Sequence, residues 1–249
     1  MDELGEQARS ALERLKLVAD DTRWRLLQLL RHSDCQVGEL VEQTGLAQNL
    51  VSYHLNILRQ AGLVHAHRSD ADARATYYGA NLAGLAALHR ELGAELALPE
   101  VTTPALPRAI TVVFLCRANS ARSQIAEGWL RALSGARISA RSAGTHPATL
   151  HPLAVQVMAE AGIDIGYQQA KHVDALEQIA SAVVVTVCDI AREECAVWLR
   201  AATQLHWSIA DPAVVPDADA RLQAFRSVRD DLRERVAGLL TLLPSLAAS

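Results

Sequence analysis

The segment Cys116-Arg117-Ala118-Asn119-Ser120-Ala121-Arg122-Ser123 separates a cysteine from an arginine by five residues. It follows a β-branched apolar run, Ala109–Leu115, that reads as a buried strand, and precedes a helical stretch from Gln124 to Leu133. Between strand and helix, such a loop turns its backbone N–H groups onto one point and adds the positive end of the helix, which makes an oxyanion cradle of residues 117–122. The same field lowers the pKa of Cys116, so that it attacks as thiolate. Arg122 offers a planar fork for two oxygens of a tetrahedral anion. Ser123 can donate a hydrogen bond to the sulfur, and Asn119 can pin the loop through its amide. Asp211-Pro212 lies just past the last strand, where proline fixes the loop and Asp211 becomes a proton donor to a leaving oxygen. Alone, Asp-Pro is a common turn; the cysteine loop is what raises it above that. Cys188 and Cys195 stand seven residues apart, and two further cysteines beside a nucleophilic one suggest a disulfide relay.

The elements that must position these groups alternate along the second half. Strands are expected at Arg137–Ser142, Ala182–Val187 and Thr203–Trp207, with helices near His151–Ala161, Val173–Ile179 and Asp217–Leu243. That order describes an α/β domain with a parallel sheet, the anion loop lying at the carboxyl end of its first strand. Neither Gly nor Pro separates Cys188 from Cys195, and Ala191-Arg192-Glu193-Glu194 favours helix, so a short, weakly held helical turn is predicted there.

The first half has a different rhythm. Helices are predicted from Leu4 to Ala19, from Trp24 to Arg31, over Val37–Gln43 and over Ala47–Ala61, each apolar at 3–4 spacing, with Thr44-Gly45 and Gly62 as stops. Leu63–Arg68 and Arg74–Ala80 read as two strands around the polar tip Ser69–Ala73. A last helix, Asn81 to Ala97, carries Leu82, Leu85, His89, Leu92 and Leu96 on one stripe. Short helix, glycine turn, longer helix and hairpin make a mainly α winged helix-turn-helix. Its second helix sets Gln48, Asn49, Ser52, Tyr53, Asn56 and Arg59 on the polar side, and Arg68 and Arg74 flank the wing as further DNA contacts. No acidic residue occurs from Gln43 to Ser69, a window suited to phosphates although the first 100 residues hold ten basic and fourteen acidic side chains. A helical hairpin used only for protein contacts is the plainer alternative.

Prolines at 99, 104 and 107 mark a connector. The domains are therefore expected at 1–98 and 109–249, joined by a 99–108 linker. In a chain of 249 residues, 50% hydrophobic and 21% charged, both halves can bury a core. Four cysteines are too few for a disulfide scaffold. The acidic start lacks a signal-peptide core, and no stretch nears the ~18 apolar residues of a membrane span, so a cytoplasmic protein without membrane contact is expected. Metal ligands at defined spacing are not seen; His89 reads as a packing residue and Cys35 as a small buried one.

Two resemblances sharpen this reading. Gly38-Glu39-Leu40-Val41, Gly45-Leu46-Ala47-Gln48, Val51-Ser52-Tyr53-His54-Leu55, Leu58–Val64 and Tyr77-Tyr78 resemble the ArsR-type winged-helix repressors. The likeness implies a homodimer, packed through its first and last helices, on a palindromic DNA operator. It departs from the arsenic-sensing members where their cysteines would stand, because Gln36 and Gly38 occupy those positions and Cys35 is one residue off. The second half resembles the thioredoxin-coupled arsenate reductases, which share the low-molecular-weight tyrosine phosphatase fold. The resemblance rests on Cys116-x-x-Asn119-Ser120-x-Arg122-Ser123, Ser142-Ala143-Gly144-Thr145, Lys171-His172-Val173-Asp174, Cys188-Asp189-x-Ala191-Arg192-Glu193-x-Cys195 and His206-Trp207-x-x-x-Asp211-Pro212. It implies that Cys116 attacks arsenate, Asp211 protonates the departing oxygen, and Cys188 releases arsenite. Cys195 then takes over the disulfide, leaving Cys188–Cys195 for reduced thioredoxin, with no bound cofactor. A phosphatase of this fold would need only Cys116, Arg122 and Asp211, and an oxyanion-sensing repressor without turnover would need neither the acid nor the relay.

Overall fold

The computed structural model describes residues 12–98, 110–135, 137–176, 182–195 and 203–246. The expected linker at 99–108 and the start of the first helix lie outside the described residues. The chain divides into two compact units, Met1–Arg68 with Arg74–Thr103, and Ser69–Ala73 with Pro104–Ser249. No helix among the described residues is long and apolar enough to cross a membrane.

In the first unit, helix α1 is seen over 12–18. Helix α2 (Asp21–Leu30) begins three residues before the expected Trp24, because the Asp20 carboxylate accepts the Arg23 N–H at 2.9 Å and caps the first turn. Helix α3 (Val37–Thr44) stops at Gly45, whose φ of +71° is a conformation glycine adopts without a Cβ penalty. Helix α4 (Gln48–Gln60) buries Val51, His54, Leu55 and Leu58. Strands β2 (Val64–Arg68) and β3 (Thr76–Ala80) form the antiparallel hairpin, and a third strand, β1 (Cys35–Gln36), pairs with Tyr78 and Tyr77 to give the order β1-β3-β2. Helix α5 (Leu82–Glu95) is capped by Asn81, whose side chain accepts the Gly84 N–H. Its expected stripe is only partly realised. Leu88 is its buried residue, Leu82, Leu85 and Leu92 pack part-buried against the core, and His89 is exposed, so it is no packing residue within one chain.

The second unit is built on a parallel sheet of order β5-β4-β6-β7, comprising β4 (Thr111–Cys116), β5 (Ser139–Gly144), β6 (Ala182–Thr186) and β7 (Thr203–His206). Helices α6 (Arg122–Leu133), α7 (Pro152–Glu160), α8 (Asp189–Glu194) and α9 (Ala218–Leu246) complete it. Near Val173 only a short 3-10 turn, Val173–Ala175, forms instead of the expected helix, whose remainder from residue 177 lies outside the described residues. Central strand β4 is buried from Val112 to Cys116, which matches its unbroken apolar sequence. Phe114 and Phe225 are fully buried, and Trp129 donates its indole N–H to the Arg229 carbonyl, fixing α6 on α9. The register sets Cys116 opposite Gly144 and Thr186 opposite His206. The chemically active residues therefore gather at the carboxyl edge of the sheet, where open α/β folds take their ligands.

Candidate active site

The loop after β4 is shaped by bonds on its outer side. The carbonyls of Arg117, Ala118 and Ser120 accept N–H bonds from His146, Ala148 and His151 at 2.8, 2.9 and 2.9 Å. In a trans peptide the next N–H points the opposite way, so the N–H groups of Ala118, Asn119 and Ala121 face the interior of the loop. One of them, from Asn119, meets the Cys116 sulfur at 3.1 Å. Helix α6 starts at Arg122 rather than at Gln124, and its cap is Ala121, which has no side chain to satisfy the first-turn N–H groups. An anion is the natural partner of such an end.

Asn119 is the keystone of the loop. Its φ is +45°, a left-handed conformation that asparagine tolerates better than most residues. The side-chain amide donates to Ser123 Oγ and Ser142 Oγ, both at 2.9 Å, while its oxygen accepts the Lys171 N–H at 2.9 Å and Gln124 Nε2 at 3.2 Å. Ser123 Oγ, already accepting from Asn119, has its own hydrogen left for the Cys116 sulfur 3.0 Å away. Ser142 passes its hydrogen to buried Glu127 at 2.6 Å. Opposite the loop, a Cβ on Gly144 would lie 2.5 Å from the Arg117 carbonyl and 2.8 Å from the Asn119 nitrogen, so only glycine allows this approach.

Arg122 is almost fully buried. Its Nη2 donates to Asp211 Oδ2 at 2.7 Å, and its Nη1 donates to the Ile209 carbonyl at 2.8 Å and to Asp70 Oδ2 at 2.9 Å. Burial works against its charge, but Cys188, Asp211, Cys116 and Asp70 together hold its pKa above the usual value. Asp211 caps the 3-10 turn Pro212–Val214 by accepting the Ala213 N–H at 3.0 Å, which leaves its other oxygen on Arg122.

Cys188 and Cys195 flank α8 as its N-cap and C-cap, so the predicted short helical turn is present and both sulfurs are reduced and buried. Burial pushes the Cys188 thiol up to about 12; Arg122 opposes the shift, Cys116 adds to it, and the backbone N–H groups of Ala191 and Arg117 oppose it again. Cys188 thus faces the same loop as Cys116. Cys195 is pushed up to about 11 by burial, with Glu194, Asp174 and Cys116 adding to it. It lines a cavity of about 440 Å³ with Thr145, His146, His172, Val173, Asp174 and Glu194. Among the described residues no group of His, Cys, Asp and Glu is able to hold a metal ion.

Sequence reasoning assigned no role to several groups that touch this site. Asp189 joins His206 Nε2 at 3.0 Å, and His206 Nδ1 meets Thr186 Oγ1 at 2.8 Å, all three buried. Although burial opposes it, bonds from His206, Ser208 and the Asp70 N–H hold the Asp189 carboxyl below its usual range. Ser142, Lys171, Asp189 and His206 were visible only as motif positions, and Asp70 only as a turn residue.

In the first unit, Gln48, Asn49, Ser52, Tyr53, Asn56 and Arg59 are all exposed on α4, opposite its buried face. Arg68 and Arg74, on either side of the Ser69–Ala73 connection, are exposed as well. Cys35 is buried on β1.

Residues 111–248 match the family described as low molecular weight phosphotyrosine protein phosphatase, and residues 20–66 match the bacterial regulatory protein, arsR family. An arsenate reductase of Bacillus licheniformis is 37% identical over 127 residues, which cover 51% of this chain and 91% of that protein. A glutaredoxin arsenate reductase of Synechocystis sp. is 33% identical over 129 residues, 52% of this chain and 95% of that protein. A solved chain described as an arsenate reductase in oxidized state is 30% identical, covers 53% of this chain and 98% of its own, and has a TM-score of 0.48.

Proposed function

Because the chain belongs to the low molecular weight phosphotyrosine protein phosphatase family and carries an arsR-family segment ahead of it, we propose that its second half reduces arsenate to arsenite while its first half binds operator DNA. The observation that favours reduction over ester hydrolysis is the pair Cys188 and Cys195 at the two ends of α8, with Cys188 facing the Cys116 loop. Hydrolysis has no use for them.

The residues divide the work as follows. The 117–122 amides and Arg122 hold the oxyanion, with Ser123 and the Asn119 N–H steadying the sulfur as thiolate. Cys116 attacks arsenic, a sulfur–arsenic bond forms, and one oxygen leaves as water with a proton from Asp211, which sits beside the same fork. Cys188 then attacks the Cys116 sulfur. A disulfide forms, the sulfur–arsenic bond breaks, and its electron pair stays on arsenic, which leaves as arsenite. Cys195 attacks Cys188, freeing Cys116, and a reduced dithiol protein of the thioredoxin class returns the Cys188–Cys195 disulfide to thiols. No bound cofactor takes part, and a reducing cytoplasm is the setting that this cycle needs.

The first half acts as a homodimer that presents two α4 helices to a palindrome, Gln48, Asn49, Ser52, Tyr53, Asn56 and Arg59 reaching the groove and Arg68 and Arg74 the phosphates. Leu12, Leu15 and Leu96, exposed on α1 and just past α5, supply apolar surface for the pairing. Arg59→Ala should weaken operator binding without unfolding the unit, and binding should fall steeply with salt; a shift unaffected by either would refute this half.

The deciding assay for the second half is arsenate-dependent NADPH oxidation with thioredoxin reductase and thioredoxin, set beside glutaredoxin with glutathione. Cys116→Ser should abolish turnover, and Cys188→Ser should abolish arsenite release while leaving any phosphate-ester hydrolysis intact. Full arsenate turnover by Cys188→Ser would overturn the relay, and turnover only with glutaredoxin would replace thioredoxin as donor.

A further inference from the structure

Ser69–Ala73, the connection between β2 and β3, packs as part of the second unit. The turn is preformed: buried Ser69 accepts the N–H groups of Ala71 and Asp72 on its hydroxyl at 3.1 and 3.2 Å. Held this way, Asp70 makes two contacts at the carboxyl edge of the sheet. Its carboxylate takes Arg122 Nη1 at 2.9 Å, and its N–H donates to Asp189 Oδ2 at 2.9 Å. With Asp211 on Nη2, both ends of the Arg122 fork carry a carboxylate.

We propose that the Ser69–Ala73 turn is a built-in carboxylate ligand of the Cys116 loop, which a tetrahedral oxyanion must displace from Arg122 in order to bind. The inference rests on the reading of residues 116–122 as the oxyanion loop. An arsenate or phosphate dianion seated on the loop needs the Nη1 face that Asp70 now holds, and two anions on one donor repel in a buried setting. Occupancy by one therefore excludes the other.

A second consequence follows from the Asp70 N–H. When the turn leaves, Asp189, the first residue of α8, loses one of its donors. Arrival of the oxyanion thus loosens the end of the helix whose N-cap is Cys188. Entry of substrate and release of the relay become linked through one residue.

The test uses the reduced full-length chain and inorganic phosphate, which occupies the loop without being reduced. Binding is measured by calorimetry for wild type and Asp70→Ala, and hydrogen exchange of residues 69–73 and 189–191 is followed in wild type with and without phosphate. If the turn fills the fork in about nine molecules of ten, Asp70→Ala binds phosphate about tenfold more tightly. Exchange at both segments of wild type then rises at saturation. Equal affinity in the two proteins overturns the inference and leaves the oxyanion loop standing, as does unchanged exchange at 69–73 in phosphate-saturated wild type. Failure of both proteins to bind phosphate removes the oxyanion loop itself, and the inference with it.

Discussion

Replacing Asn119 separates the two things this residue does. Asn119→Ala and Asn119→Gly both remove the acceptor of the Lys171 N–H and the donor to Ser123 and Ser142. A polar group stranded in this way costs about 1–3 kcal/mol. Alanine adds a second penalty, because at a φ of +45° its Cβ crowds the backbone by roughly 1–2 kcal/mol. Glycine escapes that penalty but loses more chain freedom on folding, by about 0.5–1 kcal/mol relative to alanine. The expected order of stability is Asn above Gly above Ala, with alanine down by about 2–5 kcal/mol and glycine less by roughly 0.5–1 kcal/mol. Exchange of the β4 amides in urea reads this for the second unit alone, since those central amides open only when that unit unfolds. If Asn119→Ala proves as stable as wild type, or more stable than Asn119→Gly, the left-handed keystone is the wrong account.

Three further outcomes follow from the geometry. Gly144→Ala, whose Cβ would press on the backbone of Arg117 and Asn119, should weaken phosphate binding about tenfold or more, a loss of at least about 1.4 kcal/mol; calorimetry showing wild-type affinity would refute the contact. Folding keeps protons on Cys188 and Cys195 to about pH 12 and about 11, against the ordinary 9.0, so the folded state binds more protons than the unfolded one above pH 9. Stability of the second unit should therefore be full below pH 9 and decline as pH rises from 9 toward 12, with a flatter slope in Cys188→Ala/Cys195→Ala; identical slopes would refute the assignment. Residues 188 and 195 are seven steps apart, roughly 10.5 Å along a helix, whereas a disulfide needs Cα atoms within about 7 Å. Exchange across α8 should thus rise on oxidation of wild type and stay unchanged in Cys195→Ser, and equal protection in both wild-type states would show that no unwinding occurs.

The parts of the site that were legible in the sequence are those that a local geometry forces on neighbouring residues. Cys116 through Ser123 had to appear in order, since one loop between one strand and one helix supplies the whole cradle. The α8 turn was readable for the same reason, being a run without breakers between two cysteines. Long-range partners left no such trace. Lys171 reaches Asn119 through its backbone N–H, which any residue but proline at that position would also offer. Strand β1 is two residues long, too short to show a period, and exists because Tyr77 and Tyr78 offer it an edge. The start of α2 was misjudged because Asp20 was not recognised as its cap. Near Val173 the helical composition lost to packing, with Val173 and Leu176 buried in the core around a single turn. Ser69–Ala73 has the composition of a turn, and composition alone cannot say that one of its carboxylates lies on an arginine.

The burial of Cys188 and Cys195 has a bearing on how this molecule withstands oxidising chemistry. Burial holds both thiols well above the ordinary thiol range, so at pH 7 both are protonated. Peroxides and alkylating agents react with thiolates, so both sulfurs should react slowly with such poisons while α8 is intact, Cys188 above all because it is fully buried. They become competent only when the helix loosens and water or a basic partner reaches them. The fold thus stores two reducing equivalents in a form that small oxidants drain slowly.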